Sequence, residues 1–127
     1  MVFLGKPTKK EENYYNLLLN CQQTTVEQIR ENELFVELDR WAKKCLGKFK
    51  NKFIHSLGHG IGIEVHEAPI FSNKNWPIKQ KMVFTIEPGI YFKNKFGLRI
   101  EDTLVFNGKP RILTKVTKEL LKIGIKP

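Results

Sequence analysis

Apolar residues in the first third of the chain recur at helical spacing. Tyr14, Leu18, Cys21, Val26 and Ile29 keep to one face of a helical turn, so 8–30 reads as one long amphipathic helix. Thr8-Lys9-Lys10-Glu11 has the form of a capping box, and Pro7 discourages helix further upstream. A second helix is predicted over 33–46, where Leu34, Leu38, Trp41 and Cys45 fall at steps of four, three and four before Gly47 stops it.

Beyond Lys52 the pattern changes. Phe53-Ile54 and 61–65 are expected as short strands around a glycine-rich turn. Residues 82–92 and 98–106 are rich in β-branched and aromatic residues and predict an antiparallel pair joined through 93–97. Asn107-Gly108 is a hairpin signal leading to a strand near 111–114, and Thr117 is positioned to cap a short final helix. Helices first and strands afterwards indicate an α+β domain, with two helices packed on a curved antiparallel sheet.

The 127 residues suit one domain. Lys and Arg number 22 against 13 Asp and Glu, a formal charge of +9. The basic residues are spread along the chain with no nucleic-acid motif beside them, which reads as a solvated surface, so no nucleic-acid partner is expected. No apolar run reaches membrane-spanning length and the first residues carry no apolar leader pattern, so neither a membrane partner nor secretion is expected. Cys21 and Cys45 lie apart in helical stretches, as reduced thiols of a cytoplasmic protein would.

The chemistry is concentrated. All three histidines fall in His55-Ser-Leu-Gly-His59-Gly-Ile-Gly-Ile-Glu-Val-His66-Glu67, threaded through Gly58, Gly60 and Gly62. The glycines let the backbone approach a ligand closely, but their spacing is not that of a dinucleotide-binding turn, and no H-E-x-x-H is present. Glu87 interrupts an apolar strand that ends in Pro88-Gly89, and Glu101 lies in another. Period-two alternation puts Arg99 and Glu101 on one face, with Leu98, Ile100 and Asp102 on the other. A buried carboxylate needs a partner, and an ordinary salt bridge with Arg99 accounts for either glutamate taken alone. Imidazole with carboxylates also suits a divalent Mn, Co or Zn ion.

These motifs resemble those of the pita-bread metallopeptidases, the family of Xaa-Pro dipeptidase (prolidase) and aminopeptidase P. His55–Glu67 is similar to the family's proline-peptidase signature, and methionine aminopeptidases, which share the fold, usually lack a histidine at the place of His55. Val83-Phe-Thr-Ile-Glu87-Pro88-Gly89 and Arg99-Ile-Glu101-Asp102-Thr103 resemble the next two motifs in order. The resemblance implies that His59, Glu87 and Glu101 ligate metal, with Glu101 bridging two ions. It implies that His66 contacts the substrate carbonyl or the tetrahedral intermediate, and that His55 lines the pocket on the proline side. Arg99 would orient the carboxylates. The implied reaction is metal-hydroxide hydrolysis of the peptide bond preceding proline, on peptides with proline at the second position.

The same resemblance implies five protein ligands, two of them aspartates on strands before the first helix. The only aspartates here are Asp39 and Asp102, one on the second helix and the other facing away from Glu101. Met1–Pro7 resembles the end of the second of those strands. Residues 1–127 are therefore expected to be the C-terminal portion of a catalytic domain, inactive alone and completed by a complementary N-terminal fragment or a homo-oligomer. A non-catalytic peptide- or protein-binding module and an inactive remnant are the alternatives.

Overall fold

The structure, a computed structural model, describes residues 1–73 and 75–124. Strand β1 (Val2–Leu4) is followed by α1 (Lys9–Glu27) and α2 (Phe35–Leu46). The remaining strands are β2 (His59–Gly60), β3 (Glu67–Ile70), β4 (Val83–Ile86), β5 (Gly89–Phe92), β6 (Phe96–Arg99), β7 (Asp102–Phe106), β8 (Pro110–Ile112) and β9 (Leu121–Ile123). The expected α+β architecture is present.

Both helices form for the reasons the pattern gives. The Thr8 hydroxyl accepts from the Glu11 N–H while the Glu11 carboxylate accepts from the Thr8 N–H, closing the capping box. Gly47, at φ 53°, ends α2 in a conformation glycine adopts without strain. The start of α2 is delayed because Leu34 bridges to Pro77 and the Phe35 N–H bonds to the Trp76 carbonyl. The buried face of α2 is Phe35, Leu38, Ala42 and Leu46, rotated from the expected stripe, so that Leu34, Trp41 and Cys45 are only half-buried.

A five-stranded antiparallel sheet runs β3-β2-β4-β7-β8, and β5-β6 form a two-stranded ribbon. The expected long hairpin of 82–92 with 98–106 is thus present but broken on both arms at one level. Pro88 has no N–H for the ladder, and its carbonyl instead accepts from Ile100. The helices pack against this surface through Phe35 on Phe71 and Phe84, and through Tyr14 on Phe92 and Phe96.

Three expectations are corrected. Phe53-Ile54 is not a strand: Phe53 closes a 3₁₀ turn over Gly47–Lys52 and buries its ring, leaving Ile54 exposed. Residues 61–65 are not a strand either. Pairing occurs instead at β2 and β3, where a Cβ on Gly60 would lie 1.9 Å from the Ala68 carbonyl oxygen; only glycine permits that approach. Among the described residues the final helix is absent. The Thr117 hydroxyl accepts from Glu119 N–H in a local turn, and β9 pairs in parallel with β1 across the whole length of the chain.

Candidate metal centre

The double break in the long hairpin builds the site. Ile86 pairs with Asp102 on one side of it and Gly89 with Arg99 on the other, so Glu87 and Glu101 stand at the same level of two adjacent strands, released from the ladder. His59 arrives on β2, next to β4. One ligand atom from each of His59, Glu87 and Glu101 lies within 4.8 Å of the others.

Each side chain is held in place. The Glu87 N–H donates to the Leu57 carbonyl at 2.8 Å. The Thr85 hydroxyl accepts from the His59 N–H at 3.0 Å and donates to Glu87 Oε1 at 3.2 Å. Arg99 spans the two glutamates, its Nε 3.5 Å from Glu87 Oε2 and its Nη2 3.2 Å from Glu101 Oε2. Burial opposes the charge on Arg99, but the Tyr91 hydroxyl and the carboxylates of Glu101 and Glu87 outweigh it and hold the guanidinium pKa above its ordinary value.

The imidazole of His59 carries the decisive detail. Its Nδ1 lies 2.9 Å from the Gly60 carbonyl, an acceptor, so Nδ1 carries the proton and donates. Its Nε2 faces Glu87 Oε1 at 3.4 Å. A proton on Nε2 or a cation between the two atoms would join them. His59 thus adds a nitrogen ligand atom to the two glutamates that Arg99 spans.

His55, His59, His66, Glu87 and Arg99 line one cleft of about 200 Å³. The exposed His66 ring lies 4.3 Å, centroid to centroid, from that of His59. His55 donates from Nδ1 to the Ser56 carbonyl and accepts the Tyr91 hydroxyl on Nε2 at 2.9 Å, with Gly89 leaving room for both side chains. All six residues expected at the site are therefore brought to one place. The two aspartates are engaged elsewhere. Asp102 is fully buried, taking hydrogen bonds from Gln22 and Lys118, and Asp39 accepts from Lys43 and the Leu57 N–H.

Sequence reasoning missed Thr85 and Tyr91. Thr85 was within reach, since period-two alternation puts it on the face of Glu87. Tyr91 gave no local signal, because its partner lies 36 residues away.

The fold and this cluster define a metallopeptidase domain. Residues 1–107 match the model of metallopeptidase family M24, and the chain belongs to that family. It is similar to the Xaa-Pro dipeptidase of Pyrococcus furiosus, 41% identical over 125 residues, which covers 94% of this chain and 36% of that protein. Among solved structures it is similar to a prolidase from Thermococcus sibiricus (TM-score 0.90, 37% identity, 96% of this chain and 34% of that one). It is also similar to an X-Pro aminopeptidase from Thermotoga maritima (TM-score 0.88, 34% identity, 96% of this chain and 36% of that one). The chain thus has the pita-bread fold and spans about a third of the length of these relatives. No helix among the described residues is long and apolar enough to cross a membrane.

Proposed function

We propose that His59, Glu87 and Glu101 hold a divalent cation, and that the chain is the C-terminal portion of a metallopeptidase domain that hydrolyses the peptide bond preceding proline. The observation that carries this reading is the convergence of one ligand atom each from His59, Glu87 and Glu101 within 4.8 Å of one another. Imidazole with two carboxylates suits Mn, Co or Zn. Such an ion, when bound, supplies Lewis acidity toward water and a substrate carbonyl.

The remaining roles belong to the chain's own side chains. Arg99 fixes the orientation of both glutamates by contacting one carboxylate with each side of its guanidinium. His66, exposed beside His59, is placed to hydrogen-bond a substrate carbonyl. His55 is locked by Tyr91 as a wall of the cleft on the proline side. The substrate is a peptide with proline at its second position, as similarity to an Xaa-Pro dipeptidase and an X-Pro aminopeptidase supports. Three donors leave coordination positions unfilled, and Asp39 and Asp102 are committed elsewhere, so we assign the remaining carboxylates to a complementary segment, on a partner chain or in a homo-oligomer. The unbridged Cys21 and Cys45 support a cytoplasmic setting.

The test is co-expression with the N-terminal portion of an Xaa-Pro dipeptidase relative, assaying release of proline from Gly-Pro in the presence of Mn²⁺. Hydrolysis is expected from the pair and is expected to disappear with His59→Ala. No gain over the single chain overturns the catalytic reading. Peptide binding that survives His59→Ala and Glu87→Ala would instead establish a binding module.

A further inference from the structure

We propose that Asp39, on a helix outside the cleft, is a positioning residue for the centre, holding the segment that carries His59 and anchors Glu87. The proposal rests on the metal reading above only for its effect on the ion; its structural content stands without it.

The side chain of Asp39 is only 13% exposed and divides its two oxygens. Oδ2 pairs with Lys43 one helical turn on, at 2.5 Å, while Oδ1 accepts the Leu57 N–H at 3.1 Å across 18 residues of sequence. Leu57 is fully buried, and its carbonyl takes the Glu87 N–H at 2.8 Å. Gly58 is pressed against the end of β4, and His59 is tied by its own N–H to Thr85. Three consecutive residues are thus gripped between α2 on one side and β4 on the other. Asp39 Oδ1 supplies the α2 side of that grip. A helical aspartate paired with lysine four positions on would serve helix stability from the surface. Asp39 is turned instead toward a backbone amide that no other described group satisfies.

The acceptor, and not the charge, is the operative feature, which makes the test specific. Asp39→Asn keeps a carbonyl oxygen for Leu57 and loses the charge; Asp39→Glu keeps the charge and displaces the acceptor. Mn²⁺ affinity of the full chain is read by titration, and amide hydrogen exchange at Leu57 and Glu87 is read on the metal-free protein. Circular dichroism verifies that each variant is folded. Asp39→Ala is expected to weaken Mn²⁺ binding about 10–100-fold, the range for groups that orient a metal ligand. Asp39→Asn is expected to stay within about threefold of the parent, with Asp39→Glu weaker than Asp39→Asn and faster exchanging at Glu87. The Asn-over-Glu order tests the idea even where Asp39→Ala does not fold. The reverse order, or unchanged exchange at Glu87 in both Asp39→Ala and Asp39→Glu, overturns it. If the parent chain binds no Mn²⁺, the metal reading fails, and the exchange data alone decide whether Asp39 positions the segment.

Discussion

Alanine at Gly58 tests the packing on which the site depends. A Cβ there would lie 2.0 Å from the Thr85 carbonyl oxygen and 2.8 Å from its carbon, both backbone atoms that cannot swing aside. Real Cβ atoms essentially never come closer than 3.0 Å, so the two backbones must part by at least 1.0 Å. That displacement carries the Leu57–Glu87 hydrogen bond from 2.8 Å, and the His59–Thr85 bond from 3.0 Å, past hydrogen-bonding distance. Each loss strands a buried polar group at about 1–3 kcal/mol, so a total of about 3–4 kcal/mol is expected. With a urea m-value of about 2 kcal/mol/M, the denaturation midpoint falls by roughly 1.5–2 M. Gly62→Ala is the control. The atoms nearest its Cβ belong to the carboxylate end of Glu67, which can rotate away at the cost of an exposed hydrogen bond from the Glu64 N–H, and neither glycine has a left-handed φ. The reduced freedom of the unfolded chain offsets much of that cost, leaving a change within about 1 kcal/mol. A loss below about 1 kcal/mol for Gly58→Ala, or equal losses for the two variants, would refute the close-approach argument.

Burial raises the Cys21 thiol pKa from 9.0 to about 12, with neighbouring Cys45 adding to the effect. The folded state therefore keeps a proton that the unfolded chain gives up. Stability from this group is complete below pH 9 and declines as pH rises toward 12. Iodoacetamide at pH 8.5 is expected to label half-buried Cys45 at least about tenfold faster than Cys21; equal rates would contradict the burial. Thr8→Ala removes the cap of α1 and is expected to destabilise by about 1 kcal/mol in calorimetry, with an unchanged melting temperature counting against the capping box. Titration of the isolated chain with Mn²⁺ is expected to show one bound equivalent, weakened more than about tenfold by His59→Ala. Two tight equivalents would remove the need for carboxylates from elsewhere.

The two helices were legible from local patterning, whereas the candidate ligands His59, Glu87 and Glu101 were named through motif resemblance. A capping box starts α1 and a glycine stop ends α2, while the start and the buried face of α2 are set by its contacts with Trp76 and Pro77 and by tertiary packing. Glu87 is buried as its apolar neighbours predict, whereas Glu101, expected within an apolar strand, stands exposed at the break between β6 and β7. What the sequence left hidden depends on distant partners. Residues 121–123 extend because β1, more than a hundred residues away, offers unpaired backbone groups. The break at Glu87-Pro88 was foreshadowed by the proline, but its counterpart at Ile100-Glu101 follows only from pairing register. Asp39 is the sharpest case. On the sequence it is one more polar position of a helix with Lys43 one turn on, and only the folded backbone reveals the amide it faces.

Charge balance ties the site to the proposed completion of the centre. Glu87 and Glu101 together carry two negative charges, and Arg99 returns one positive charge to the same cluster. With Arg99 in the same cleft, one divalent ion held by the two glutamates would already turn the net charge of the cluster from negative to positive. A second divalent ion would add two uncompensated positive charges a few ångströms from the first, beside an arginine, in a chain already at +9. Repulsion between such charges at short range costs several kcal/mol even at an effective dielectric of about 20. Only further anionic ligands remove that cost, and Asp39 and Asp102 are tied to Leu57, Lys43, Gln22 and Lys118. On the proposed metal reading, a second ion therefore calls for anionic ligands beyond Glu87 and Glu101.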